Sequence, residues 1–488
     1  VNRGPTLLER VPRDAVFAAL LFGLALLPRL YVALALAGEP VWDGHYYDYG
    51  ARRIADGFGY SDDLSIDGRA VWHPWAHYPV GYSAFLALFY KLFGKGPHVA
   101  PIVNASVGAA LAVVTFLLAA CALSKARARI AGLLVALHPG LILYGGLVMT
   151  EPLAALLTLL AFWVAVVDRR PMRGIALGAL VLGLAALVRP QALLCAPFLA
   201  LRLFDEPKAP RRRGWQVATA VALACALPLV PILPWTARNC RVMDGCALVS
   251  TNGGWNLAIG AFPRATGRFE TLRASDGCRV VTGQVQQDRC WFEYGLAQIR
   301  ARPLAWLALI PKKLSFTFDH ESFAVEYLRE ARPEHWPEDA RRFARDVTTT
   351  THRFLVVAAA FGGIAYRRRG AGARLQAALL VSVLVLLWLS FSGGEGRVWP
   401  FAIVASVLPF LPLRGRPPFP AALRLAAVLL ASTVFTHAVF FGEDRYHVVV
   451  TPVLCLFVAA ALRPSAAAST GASSMLHASA NPERRAAA

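Results

Sequence analysis

Apolar runs long enough to enter a bilayer recur along nearly the whole chain, and they restrict its fold more than any other feature. Ala109–Cys121, Ile175–Val188 and Leu425–Val434 hold no charged side chain. In hydrocarbon the backbone must satisfy its own hydrogen bonds, so such runs form helices. With 57% of its 488 residues hydrophobic and 16% charged, the chain has too little polar surface for a soluble globule of its length. The expected class is an all-α polytopic membrane protein.

Reading the runs at bilayer length gives about twelve spans. They fall at 15–37, 101–121, 130–148, 151–167, 174–188, 190–204, 215–237, 353–366, 375–391, 398–413, 420–441 and 446–463. The first is too long for a signal-peptide core and lacks a small-residue cleavage site, so it reads as a signal anchor. The net charge of +20 does not point to nucleic acid, because many of the basic residues sit in short loops between runs. Arg3, Arg10 and Arg13 precede the first run, and Lys125, Arg127 and Arg129 follow the second. Arg169, Arg170 and Arg173 follow the fourth, and Lys208 with Arg211–Arg213 the sixth. Arg367–Arg369 with Arg374 follow the eighth, and Arg414 with Arg416 the tenth. The positive-inside rule makes all of these cytoplasmic, together with both termini.

The other side receives a first outer loop, 38–100, and a larger segment, 239–351. It also receives short turns carrying Glu151, Arg189, Glu395, Arg397, Glu443, Asp444 and Arg445. The chain divides accordingly into a cytoplasmic N-terminus (1–14), an N-terminal membrane module (15–238), the extracytoplasmic segment, C-terminal membrane helices (352–463) and a disordered, Ala- and Ser-rich cytoplasmic tail (464–488). Gly81–Gly94 and Pro303–Phe318 are apolar but interrupted by Lys91 and by Lys312 with Lys313. As spans they would break the alternation of sides, so both are expected as helices lying in the outer interface. Cys121, Cys195, Cys225 and Cys455 fall in spans. Cys240, Cys246, Cys278 and Cys290 all fall in the outer segment, where an even set suggests disulfides. Of three connectivities, local pairing of Cys240 with Cys246 and of Cys278 with Cys290 is the first expectation.

Several outer residues are suited to chemistry. On a helix, Asp43, Tyr46 and Tyr47 share a face, and a carboxylate at the membrane surface can act as general base on a hydroxyl. Capping the following helix is the alternative for Asp43. Trp72 to Tyr82 is rich in rings, including His73, His77 and Tyr82, which suit either an interfacial belt or stacking on a sugar or prenyl chain. Arg189, Arg238, Arg397 and Arg445 stand at outer span ends, where fixed guanidinium groups suit a phosphate; pairing with nearby carboxylates is the alternative. Asp62 and Asp63 read as a solvated acidic pair. Pro74 between His73 and His77 argues against a helical metal pair. No Gly-rich phosphate loop, metal-spaced cluster or Gly-x-Ser-x-Gly elbow occurs, so no metal ligands are assigned and no cofactor is expected, while a divalent metal stays open.

These pieces, in order, resemble the GT-C superfamily of polytopic glycosyltransferases. The likeness is to bacterial protein-O-mannosyltransferase and aminoarabinose-transferase types (glycosyltransferase family 39). The resemblance runs from about Ala15 to Leu462. It is carried by Asp43 with Tyr47, Gly57–Tyr60, Pro79–Tyr82, Met149–Pro152, Leu187–Gln191, Pro234–Asn239, Ser250–Asn256 and Asp444–Tyr446. It implies a polyprenyl-phosphate-linked sugar donor and inverting transfer on the non-cytoplasmic face of the bacterial plasma membrane. It also implies Asp43 as the catalytic carboxylate and a phosphate role for Arg189, Arg238 or Arg445. Many members carry an Asp-Glu pair where this chain has Asp43-Gly44, which leaves Asp48 or Glu151 as the second carboxylate. Metal dependence is not implied, although other GT-C branches use a divalent ion. The acceptor, whether protein, lipid or glycan, stays open. Two rival classes are a surface-polysaccharide polymerase or ligase, and a lipid or sugar transporter, for which Arg29 is the clearest mid-span charge.

Overall fold

The first apolar run folds as α1 (Arg13–Tyr31), which loosens into a π-helical stretch, Val32–Leu36, before the chain leaves the helix. Leu20, Leu24, Leu27 and Tyr31 stand exposed along one side of α1, while Leu21, Ala25 and Val32 are buried on the other. An exposed stripe of large apolar residues would be a liability in water and is an ordinary lipid face in a bilayer. The structure, a computed structural model, describes residues 13–205, 214–367, 388, 396–411 and 419–462.

Beyond α1, the first outer loop forms α2 (Asp43–Ala55), a hairpin of β1 (Ser61–Ile66) and β2 (Arg69–Pro74), and α3 (Val80–Phe93). The hairpin is antiparallel, with Ser61 opposite Pro74 and Ile66 opposite Arg69. It is confined to the first outer loop, and the described membrane part is helical as expected. The bundle continues with α4 (Val99–Ala120), α5 (Lys125–Leu137), α6 (Pro139–Leu143), α7 (Glu151–Val167) and α8 (Pro171–Val188). A 3-10 helix, Pro190–Phe204, then precedes α9 (Gly214–Ala226) and α10 (Leu229–Val242). The outer segment holds α11 (Gly253–Ala261), α12 (Gln284–Ala301), α13 (Pro303–Ala308), α14 (Ile310–Phe318) and α15 (Phe323–Ala331). Next come α16 (Glu338–Arg367), α17 (Trp399–Val407), α18 (Ala421–Val439) and α19 (Thr451–Ala461).

Among the described residues, five helical segments are long and apolar enough to cross a membrane: Asp14–Leu36, Val99–Ala120, Pro171–Val188, Gly214–Val242 and Ala421–Val439. The pair Lys125–Leu137 and Pro139–Gly146, bent by 57°, makes a possible sixth. The remaining expected spans are shorter apolar helices, apart from 353–366, which belongs to the longer α16, and 375–391, of which only Trp388 is among the described residues. The expected basic loops at 208–213, 368–374 and 414–416 and the tail after 463 also lie outside them. The 15-residue Pro190–Phe204 shows how a short segment keeps its reach. At about 2.0 Å per residue, a 3-10 helix of that length extends about 30 Å, the thickness of a bilayer core.

Arg29 explains the bend after α5. It is fully buried and donates to the carbonyls of Val135 (2.9 Å) and Ala136 (2.8 Å), which α5 leaves unpaired where it stops before Pro139. Its charge is thus committed to a helix end, which removes the feature that favoured a transporter. At the same end of the bundle as the start of α1, Asp14 pairs with Lys125 (2.9 Å). Asp168 pairs there with Arg173 (2.7 Å), and Asp205 with Arg424 (3.1 Å).

Two expectations for the outer segment change. α16 is one helix of 30 residues and runs through the boundary expected at 352. In α14, Lys312 is exposed but Lys313 is fully buried, donating to the carbonyl of Val439 (3.0 Å) at the end of α18. The helix therefore packs against the bundle through one of its lysines. Cys240 is bonded to Cys246, and Cys278 to Cys290.

Candidate functional site

The chain enters α2 through Trp42, a non-glycine residue held at φ 50°. That left-handed conformation is costly for a bulky side chain, and such strain concentrates at functional positions. The next residue, Asp43, occupies the first position of α2, where the helix dipole favours a carboxylate. Gly44 follows because nothing larger fits: a Cβ there would collide with the Tyr327 hydroxyl and the Val148 carbonyl. The Asp-Glu pair of the resembled family is therefore sterically barred in this chain.

Asp43 is gripped from two sides. Tyr78 donates its hydroxyl to Oδ1 (2.7 Å), and Arg445 donates Nη1 to Oδ2 (2.5 Å). The same guanidinium uses Nε toward Glu443 (2.6 Å) and Nη2 toward the Tyr446 hydroxyl (3.2 Å). Asp444 anchors the turn that carries Arg445, accepting from the Ser322 hydroxyl (2.9 Å) and the Phe323 amide (2.8 Å) at the start of α15. A second pair stands nearby. Glu151, at the first position of α7, accepts from Arg189 Nη1 (2.5 Å), which also reaches the Thr150 hydroxyl (3.2 Å). Both guanidinium groups face the Tyr446 ring, at 5.3 Å for Arg189 and 5.0 Å for Arg445.

Burial acts most strongly on Asp43 and works to raise its carboxyl, but Arg445 and the Tyr78 hydroxyl outweigh it and hold the group below the ordinary carboxylate value. Burial pushes His77 down to about 4 against the pull of Asp43, so its ring is neutral near pH 7. Burial also raises Glu443, in spite of Arg445.

The two ion pairs border a cavity of about 700 Å³. Its polar end is formed by Asp43, Glu151, Arg189 and Arg445, with Tyr47, His77 and Tyr78. Gln191, Asn252 and Asn256 add neutral hydrogen-bonding groups, and Trp255 adds an indole face. Leu193 and Leu194 from the 3-10 helix, Phe435 from α18, and Phe440 add apolar wall, and Thr150, Ser250, Asp288, Thr436 and His437 add further polar groups. A cavity of this size with both ionic and apolar lining suits an amphipathic ligand.

The residues expected to form a site divide accordingly. Asp43, Tyr47, His77, Glu151, Arg189 and Arg445 line this cavity together. Arg238 does not: it donates to the backbone carbonyls of Trp75 (3.0 Å) and Tyr60 (2.6 Å) and so braces the first outer loop. Tyr46 is 47% exposed and packs against the rings of Trp75 and Tyr78. His73 sits in β2 and contacts Asp62 (2.7 Å), while Asp63 pairs with Arg53 (2.7 Å), so neither acid is simply solvated. Tyr82 is fully buried and donates to Asn104 (3.0 Å). Asp48 pairs with Arg52 (2.6 Å), away from the cavity wall.

Sequence reasoning missed Tyr78, Trp255, Phe435 and Phe440. Tyr78 and Trp255 stood inside quoted motifs, whereas Phe435 looks like any residue of an apolar span. No metal-ligand set was expected either, yet Glu321, His352 and His447 come together in the fold.

No family model and no curated protein matches the chain. Among solved structures it is similar to the Archaeoglobus fulgidus oligosaccharyltransferase in the apo form, with a TM-score of 0.48 and 13% identity over 94% of this chain and 51% of that one. The same archaeal enzyme, in complex with an inhibitory peptide and a dolichol-phosphate, is similar at a TM-score of 0.45 and 15% identity, over 97% of this chain and 53% of that one. ArnT from Cupriavidus metallidurans bound to undecaprenyl phosphate is similar at a TM-score of 0.37 and 16% identity, over 86% of this chain and 77% of that one. The chain spans about half the length of the oligosaccharyltransferase chains it matches. Its own helices and their apolar faces define a multi-pass membrane protein with a cavity built around two ion pairs.

Proposed function

We propose that this protein is a membrane glycosyltransferase, moving a sugar from a polyprenyl-phosphate carrier to an acceptor hydroxyl at the extracytoplasmic face. The observation that carries the reading is that Asp43, Arg189 and Arg445 line one cavity together with apolar residues such as Leu193, Leu194, Phe435 and Phe440. Guanidinium groups bind phosphate, the apolar wall accepts a prenyl chain, and a carboxylate beside them takes a proton. The neutral polar groups and the Trp255 face line the same cavity and are of the kind that hold a sugar.

In this scheme Asp43 is the general base. Its carboxylate takes the acceptor's hydroxyl proton, the acceptor oxygen attacks the anomeric carbon from the face opposite the phosphate, and the bond from that carbon to the phosphate oxygen breaks. The electron pair stays on the lipid phosphate, which leaves as an anion held by arginine, and the anomeric configuration inverts. Arg445 is paired with Asp43. A phosphate drawing that guanidinium away would relieve Asp43 of its strongest attractive partner and make it a better base when the donor is in place. Glu151 serves here as the second carboxylate, fixing Arg189 toward the cavity. The basic loops at the far end of the bundle support a cytoplasmic orientation for that end, with the cavity toward the outer side.

The experiment is incubation of purified protein with a panel of polyprenyl-phosphate sugars, following release of lipid phosphate. Release with one sugar, lost in Asp43→Asn, is the expected result. No release with any sugar, alone or with hydroxyl acceptors, would sink the reading.

A further inference from the structure

Away from the cavity, Glu321, His352 and His447 meet in the interior, and their potential ligand atoms all lie within 4.8 Å of one another. Glu321 is 3% exposed and both histidines 0%. Each side chain comes from a different element: the link between α14 and α15, the middle of α16, and the 3-10 turn Tyr446–Val449.

The hydrogen bonds fix which nitrogens are bare. His352 Nε2 faces the Phe318 carbonyl (3.0 Å) and His447 Nδ1 faces the Thr317 carbonyl (2.7 Å). Carbonyls only accept, so both nitrogens carry the proton and donate. The opposite nitrogens, His447 Nε2 and His352 Nδ1, then point lone pairs toward Glu321 Oε2, at 3.2 and 3.6 Å. His352 Nδ1 and Glu321 Oε1 have no hydrogen-bond partner at all. The two imidazoles stack at 3.6 Å, which disfavours charging both by protonation. One proton could join one nitrogen to the carboxylate, but it would leave the other nitrogen bare.

We infer that Glu321, His352 and His447 form a binding site for a divalent transition ion, by donor chemistry Zn²⁺. Two imidazoles and one carboxylate are ligand types zinc prefers, and the spacings from Glu321 Oε2 to the two nitrogens, 3.2 and 3.6 Å, match two edges of a tetrahedral face with bonds of about 2.0–2.2 Å. The carbonyls of Thr317 and Phe318, consecutive at the end of α14, orient both rings in the way outer-shell acceptors orient metal-bound histidines. His138 completes the surroundings without being a ligand. Its Nδ1 accepts from the Leu141 amide (3.3 Å), which leaves the proton on Nε2, 4.0 Å from Glu321 Oε2. That N–H faces the Glu321 carboxylate from beyond direct hydrogen-bond distance. Gly140 makes room, since a Cβ there would coincide with Glu321 Oε1. The ion would tie α16 to the turn that begins one residue after Arg445, and so brace the guanidinium that faces Asp43.

The test uses the full chain in detergent and does not depend on any transferase assay. Elemental analysis after metal stripping and reloading with Zn²⁺ should give about one ion per chain. Co²⁺ in its place should show the intense visible bands of a tetrahedral site. His352→Gln and His447→Gln should each weaken binding by at least about 100-fold. If a variant does not fold, the spectrum of the wild-type protein still decides. Absence of stoichiometric binding, a weak octahedral Co²⁺ spectrum, or unchanged affinity in the double variant would each overturn the site.

Discussion

Arg445 Nη1 lies 2.5 Å from Asp43 Oδ2 across 402 residues of sequence, and this contact joins the two ends of the chain at the cavity wall. The pair has its own scaffolding: Asp43 rides on the first turn of α2, and Asp444 pins the Arg445 turn to the start of α15. A substitution at either partner therefore probes the site with the supporting elements still in place.

Asp43→Asn removes the proposed base but leaves Arg445 paired with Glu443 (2.6 Å). We expect normal expression and melting, with transfer reduced about 100- to 10,000-fold. Lipid-phosphate release under saturating donor measures it, and turnover close to wild type would remove Asp43 from the chemistry.

Arg189 and Glu151 separate structure from binding. Arg189→Met strands a carboxylate that is 1% exposed, a change that costs about 3–5 kcal/mol. Thermal melting should drop accordingly. The double variant Arg189→Met/Glu151→Gln should recover most of the melting temperature while donor affinity stays weak. Recovery of donor affinity along with stability would show that Arg189 only neutralises Glu151.

Gly44 tests the steric reading of the missing acid pair. Gly44→Ala should destabilise by about 1–3 kcal/mol through contact with Tyr327 and Val148, and Gly44→Glu should not yield folded protein. A well-folded Gly44→Glu variant would contradict the packing described for α2.

Lys313 gives a pH signature. Burial pulls its amine down to about 7, well below the ordinary lysine value. Between that value and the unfolded pKa, near 10.4, the unfolded chain binds the extra proton, so stability should rise with pH from about 7 to 10 and be lowest below 7. Lys313→Met should flatten that rise and melt higher than wild type at pH 6, as scanning fluorimetry across pH would read.

The helical membrane class and the segregation of basic loops from the acid- and ring-rich parts were legible in the sequence, because both follow from local composition. Asp43, Glu151, Arg189 and Arg445 were legible as ionisable residues at span ends, and the fold brings them to one cavity. Their pairing was not: which carboxylate meets which guanidinium depends on how α2, α7, α8 and the turn before α19 dock, and no local pattern encodes that. Arg238 misled for the same reason, since a guanidinium at a span end looks alike whether it faces a ligand or two loop carbonyls. Lys313 and Arg29 were placed by charge alone, whereas their roles come from carbonyls left unpaired at the ends of α18 and α5. Glu321, His352 and His447 lie too far apart in sequence for ligand spacing to betray them, and only tertiary packing brings their bare donor atoms into one buried volume. Hydrophobic patterning and charge are properties of segments and survive in a linear text. Partnership between side chains is a property of distance, and only the folded chain sets it.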